Sequence, residues 1–170
     1  MESNIFGQKS FLSPLKDEDV QKVTDWSFDS QLCSVYPNCI TLKESYLKEY
    51  VRLPKDNLKV YMINTMDNIA IGKLEIDVVK DENYANIDMV IAEKIYAGKG
   101  YGKDALKAVI KYCFENLGLE CIKMVINQDN IRAEYCCWGC GLKEDKYYIP
   151  DESHENTLRM ALYKKDFLGY

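Results

Sequence analysis

Three glycines fall within five residues at Gly98-Lys99-Gly100-Tyr101-Gly102, and the chain then runs directly into a helical pattern. Glycine has no Cβ, so its N–H can come close to an anion. A helix that starts there adds the positive end of its dipole. Lys99 and Lys103 add formal charge. These residue types at this spacing suit the holding of a diphosphate. A flexible connector would explain the glycines, but not the coincidence of two lysines and a strong helix.

Two common phosphate loops do not fit. A P-loop reads G-x-x-x-x-G-K-S/T, with the hydroxyl on magnesium. Counting back from Gly102-Lys103 puts Ala97 at the first glycine and Asp104 at the hydroxyl. A dinucleotide fingerprint reads G-x-G-x-x-G and opens a βαβ unit. Here the glycine spacing is wrong, and hairpin-like strands precede it.

The elements that must position this loop follow from periodicity. After it, Ala105, Leu106, Val109, Ile110, Cys113, Phe114 and Leu117 make one helical face, which Gly118 ends. Before it come three alternating segments. In the second, Gly72, Leu74, Ile76 and Val78 alternate with Lys73, Glu75 and Asp77, which predicts a strand with one face in water. Residues 85–91 alternate likewise, so the three form an antiparallel meander. Nearer the N-terminus, KSFLSPL reads as a short strand and KDEDVQKVTDW as a helix. Thr41-Leu42-Lys43-Glu44 reads as a capping box opening a second helix. After the long helix come a strand (CIKMVIN), a short helix (NIRAEYCCWGCG) and a final hairpin of LKEDKYYI and TLRMALY. The hairpin turn, PDESHEN, holds His154, the only histidine. The predicted order is strand, two helices, three strands, helix, strand, helix, two strands.

The 170 residues suit one domain, 1–170, with no repeat or linker. A net charge of −5 argues against a nucleic-acid partner and suits a cationic substrate. No apolar run approaches the ~20 residues of a membrane span. The N-terminus shows no signal-peptide pattern, so the expected location is cytoplasmic. Seven cysteines, an odd count without an export signal, predict reduced thiols. Cys137-x-x-Cys140 could be half a zinc or redox site. Zinc needs two more ligands, however, and a redox pair belongs at a helix start. No metal is expected.

The glycine segment resembles motif A of the GNAT acetyltransferase superfamily, Q/R-x-x-G-x-G/A, with Ala97 in place of the leading Gln or Arg. Asn130-Ile131-Arg132-Ala133, followed by Cys140-Gly141-Leu142, is similar to the family's N-x-x-A and L-G-F segment. SFLSPLKDEDV resembles the opening of the subgroup that contains ribosomal-protein N-terminal and spermidine acetyltransferases. The resemblance covers nearly the whole chain. It implies a mixed α/β (α+β) GNAT fold: a mostly antiparallel seven-stranded sheet, splayed between its fourth and fifth strands and flanked by about four helices. It implies acetyl-CoA as co-substrate, with the pantetheine arm in the splay against the backbone of Val90, Ile91 and Ala92. Gly98, Lys99, Gly100, Tyr101, Gly102 and Lys103 would then hold the pyrophosphate, and Asn130 the pantetheine or acetyl end. Ala97 removes one side-chain contact, so weaker affinity is expected, not loss of the site.

The implied reaction is acetyl transfer to a primary amine (a small amine, an amino acid, a drug or a peptide N-terminus) by direct attack in a ternary complex. Many relatives place an acid, a tyrosine, seven residues after the Asn. That position here is Cys137, which either replaces the acid or simply packs. Asp88 is the candidate base, with Glu75 and Asp77 as neighbours on the strands. A non-catalytic acyl-CoA sensor on the same fold is the alternative. A homodimer is left open.

Overall fold

The computed structural model describes residues 3–36, 39–149 and 156–170, with backbone alone at 35, 39 and 40. Its elements in chain order are β1 (Ile5–Phe6), β2 (Ser10–Pro14), α1 (Val20–Trp26), α2 (Ser30–Val35), α3 (Glu44–Arg52), β3 (Leu58–Thr65), β4 (Ala70–Val79), β5 (Tyr84–Ile91), α4 (Tyr101–Glu115), β6 (Cys121–Asn127), α5 (Ile131–Trp138), β7 (Lys143–Glu144) and β8 (Thr157–Tyr163). The strands form one sheet ordered β1-β2-β3-β4-β5-β6-β8-β7. Every neighbouring pair is antiparallel except β5 and β6, which run parallel with α4 as their crossover. No helix among the described residues is long and apolar enough to cross a membrane.

The alternation in β3, β4 and β5 separates two cores. Tyr61, Leu74, Ile76 and Ile87 pack on one face, against Leu106, Val109, Ile110 and Phe114 of α4. Val60, Met62 and Val90 pack on the other, against Val23, Trp26, Leu42 and Leu47 from the α1–α3 region. The predicted helix over 105–117 is α4. It ends as the glycine suggests: Gly118 takes φ +69°, and the Leu119 N–H reaches back to the Cys113 carbonyl at 3.0 Å.

The second face of β4 departs from expectation. Lys73 is 0% exposed and Glu75 is 6% exposed, so this face is not wet. Helices α1 to α3 cover it, and the polar groups survive burial by pairing. Lys73 Nζ bonds Glu75 Oε1 and, at 2.9 Å, Thr41 Oγ1, while the Tyr46 hydroxyl donates to Glu75 Oε2 at 3.1 Å.

The predicted capping box at Thr41 also fails. Residues Cys39–Leu42 form a 3₁₀ turn, and α3 begins after Lys43 without a side-chain cap. The turn buries Leu42 and aims Thr41 at the sheet. Two elements were not expected, the two-residue β1 and the helix α2. The Asp29 side chain caps α2 by accepting from the N–H groups of Gln31 and Leu32. The final hairpin has a much shorter first strand than expected, because only Lys143–Glu144 pairs with β8. His154 lies outside the described residues. The all-thiol expectation is corrected as well, since Cys33 is disulfide-bonded. Cys113, Cys121, Cys136, Cys137 and Cys140 are free.

Candidate active site

Strands β5 and β6 pair only where Tyr84–Asn86 meet Cys121–Lys123. Beyond that point β5 stays with β4 as far as Ile91, and β6 stays with β8 as far as Asn127. The sheet therefore opens between Met89–Ile91 and Met124–Ile126. Helix α5 borders this opening, and the glycine loop closes one end. The result is a cleft of about 510 Å³.

At the loop end, Gly98 and Gly100 adopt φ +73° and +88°, a region that side chains rarely enter. Among the described residues, the N–H groups of Gly98, Gly100, Tyr101, Gly102 and Lys103 find no acceptor, whereas the next one, Asp104, bonds the Gly100 carbonyl at 3.0 Å. Five donors at the start of a 15-residue helix make a cradle for an anion. Tyr96 and Tyr101 brace the loop edge to face, with ring centroids 5.4 Å apart.

The lysines divide. Lys103 lines the cleft and lies beside Gly139 at the end of α5, where an added Cβ would come within 2.8 Å of its Nζ. Lys99 is exposed and does not line the cleft. Its carbonyl accepts from Lys9 Nζ at 3.2 Å, and this ammonium lies 3.7 Å from the Cβ position of Gly100. Lys9 is thus a cation at the loop that no local pattern could reveal. It arrives on the β1–β2 turn, which Asp104 holds through the N–H groups of Gln8, Lys9 and Ser10 and the Ser10 hydroxyl.

Burial opposes the charge on Asp104, but the Ser10 hydroxyl and the three N–H groups outweigh it and hold the carboxyl below its ordinary value. The folded value is the depressed one, so the stabilisation is complete above the unfolded value of 3.8 and is lost as pH falls through the folded value. Melting temperatures of Asp104→Asn against wild type should differ at pH 7, and the gap should close in acid below that window.

Asp88, Val90, Ile91, Gly98, Gly100, Gly102, Lys103, Asn130 and Cys137 all line the one cleft. Three expected residues do not. Lys99 and Tyr101 flank it, and Ala92 belongs to the core under α1–α3, its N–H donating to the Ile71 carbonyl at 2.9 Å. The Asn130 side chain caps α5 by accepting from the Ala133 N–H at 3.1 Å. The Cys137 thiol is 1% exposed and faces the Met124 sulfur at 3.9 Å, and burial, followed by the Cys136 charge, pushes it up to about 12. Cys136 also lines the cleft; a hydrogen bond from Cys140, aided by Lys103, holds its thiol below its ordinary value against the effect of burial. Among the described residues, no three His, Cys, Asp or Glu side chains converge as a metal site.

At the far end Tyr36 and Leu32 join Asp88. The Tyr36 hydroxyl donates to Asp88 Oδ2 at 2.5 Å. Burial, and then the Asp88 charge, push the Tyr36 hydroxyl well above its ordinary value, so it remains a donor. Glu75 lies directly across from Asp88 on β4. Tyr36, with Trp26, Tyr46, Tyr147 and Tyr148, is an aromatic that the sequence offers either for an acceptor pocket or for packing. It does line the cleft, but its bond to Asp88 could not be foreseen, because it follows a helix that local pattern did not reveal.

Residues 10–143 match the family described as Acetyltransferase (GNAT) domain. Among solved structures, a GNAT-family acetyltransferase from Bacillus anthracis is similar at 17% identity and a TM-score of 0.79, with 96% of this chain and 99% of that one covered. Spermidine N-acetyltransferase from Vibrio cholerae, in complex with CoA and spermine, is similar at 18% identity and a TM-score of 0.75, with 95% and 99% covered. An aminoglycoside acetyltransferase in complex with coenzyme A gives 17%, 0.75, 92% and 96%. No curated protein matches. A splayed mixed sheet, an anion cradle at the start of its crossover helix and a family match over most of the chain agree: the chain belongs to the GNAT acetyltransferase family and is an acyltransferase.

Proposed function

We propose that the cleft binds acetyl-CoA and that the protein transfers the acetyl group to a primary amine in a ternary complex. The observation that carries this reading is the cleft itself, which joins five N–H donors that find no acceptor among the described residues at one end to Asp88 at the other. The donors and Lys103 suit the pyrophosphate. The edge of β5 that β6 leaves at Val90 and Ile91 suits the amides of pantetheine, which would add to it as a strand does. Asn130 stands beside that path. When bound, acetyl-CoA supplies an acetyl group activated as a thioester.

The protein's own residues then have three tasks. The cleft walls hold donor and acceptor together. A backbone N–H of β5 at Val90 or Ile91 polarises the carbonyl. Asp88 takes the proton that an ammonium acceptor must lose before it can attack. In this reading Cys137 packs and does not act. A thiol held near 12 gives up a proton less readily than an ordinary cysteine, and coenzyme A leaves well as a thiolate. Cys137→Ala should therefore keep kcat within about threefold, a small effect for a general acid worth roughly 10²–10⁴.

Two of the similar structures carry spermine or are named for aminoglycosides, both polyamines. Polyamines and aminoglycosides therefore head the acceptor panel, with peptide N-termini as a further class. Incubation of the protein with acetyl-CoA and each amine, read by mass spectrometry of the acceptor, tests the reading. Acetylation of at least one amine is expected. Tight acetyl-CoA binding without turnover on any amine would favour the sensor, a reading kept open by the replaced residues at Ala97 and Cys137.

A further inference from the structure

The acceptor end of the cleft is backed by a chain of hydrogen bonds that begins at a fully buried lysine. Lys73 Nζ donates to Thr41 Oγ1 at 2.9 Å, Thr41 Oγ1 meets the Tyr36 hydroxyl at 3.2 Å, and Tyr36 donates to Asp88 Oδ2 at 2.5 Å. Its direction follows from proton counting. An ammonium can only donate, and a carboxylate can only accept. The single Tyr36 proton is committed to Asp88. With that proton committed, the Tyr36 oxygen takes the accepting side of its contact with the Thr41 hydroxyl. Every donor points the same way, from Lys73 toward Asp88.

We infer that Thr41 and Lys73 are positioning residues, which act through Tyr36 to hold the Asp88 carboxylate ionised and aimed into the cleft. The inference rests on Asp88 being the base of the proposed reaction. A chain with all its donors aligned polarises each link, so the last bond is stronger than an isolated hydroxyl would give. The chain also counters repulsion. Glu75 lies across from Asp88, with Asp77 one step along the same face of β4. Asp77 accepts from Asn57 at 2.8 Å, Glu75 accepts from Lys73 and Tyr46, and Tyr36 brings a proton to Asp88. The Lys73 and Glu75 charges cancel. Asp88 itself lines the cleft, where a carboxylate suits an ammonium acceptor.

Thr41 is the link to cut, because removing buried Lys73 would strand Glu75 and endanger folding. Thr41→Val keeps the shape and removes the hydroxyl. Thr41→Ser keeps the hydroxyl and removes the methyl. Protein labelled with 13C at aspartate carboxyls, with Asp88 assigned through Asp88→Asn, reports the titration of this group with or without an acceptor. A hydrogen bond to the charged form lowers the titration midpoint, so Thr41→Val should raise that of Asp88 by about one unit. The acid limb of kcat/KM for the acceptor should move with it, and kcat at the lower end of the profile should fall about tenfold. Thr41→Ser should follow wild type in both readings. Acetyl-CoA affinity should be the same in all three, since Thr41 does not line the cleft. A purely packing role predicts the opposite order, with Thr41→Ser the worse variant. An Asp88 titration that is identical in wild type, Thr41→Val and Thr41→Ser would overturn the inference. If wild type instead binds no acetyl-CoA and acetylates no amine, the proposed function fails, while the titration still decides whether the chain acts on Asp88.

Discussion

Asp88→Asn should lower kcat by roughly 10²–10⁴, the usual contribution of a positioned general base. The amide keeps the size of the side chain and can still accept from the Tyr36 hydroxyl, so the fold and the wall of the cleft should survive. What is lost is the capacity to take a proton. At neutral pH an aliphatic amine is almost wholly an ammonium, with a reference value near that of lysine, about 10.4. Raising the pH supplies free amine without help. The deficit of Asp88→Asn should therefore shrink as pH rises toward that value, while wild type stays the faster enzyme in the neutral range. The Kd of acetyl-CoA should not change, because Asp88 stands at the opposite end of the cleft from the glycine loop. A constant deficit at all pH values would mean that Asp88 positions the acceptor and does not take its proton.

The second large effect is expected at the loop. Gly100 has φ +88°, and the nearest atom to its Cβ position is Lys9 Nζ at 3.7 Å. There is room for a side chain, so Gly100→Glu should fold, at a cost of about 1–2 kcal/mol for a non-glycine residue in left-handed geometry. Its carboxylate would occupy the cradle and engage Lys9. A negative charge placed against a diphosphate costs several kcal/mol, so acetyl-CoA affinity should fall about a hundredfold or more. Gly100→Ala separates the two causes. It carries the strain without the charge and should lose much less.

How far the sequence revealed this site depended on how local each feature is. The loop from Gly98 to Lys103 lies within one run of residues, and its glycines, its lysines and the helix behind it could be read together. The α4 stripe from Ala105 to Leu117 and the meander of β3 to β5 follow from periodicity for the same reason. At the acceptor end, residues such as Asp88 and Glu75 could be named as candidates, but their partners were not legible. Alternation correctly put Lys73 and Glu75 on one face of β4, but it could not show that α1–α3 cover that face. The pair stays inside because each group finds a partner. Thr41 carried a true capping-box pattern, yet its hydroxyl went to Lys73 and Tyr36, since a 3₁₀ turn that buries Leu42 offers those partners instead. Lys9 reaches the glycine loop only because Asp104, about 95 residues away, fixes the turn that carries it. The spacing between β5 and β6, which opens the cleft, depends on where their pairing stops, and no single segment records that.

The most direct test of the central claim is calorimetric titration of acetyl-CoA into the purified protein, with Gly100→Glu alongside. The account predicts one acetyl-CoA bound per chain by wild type, and binding lost or reduced about a hundredfold in the variant. Absence of binding by wild type, or equal binding by both proteins, would contradict it.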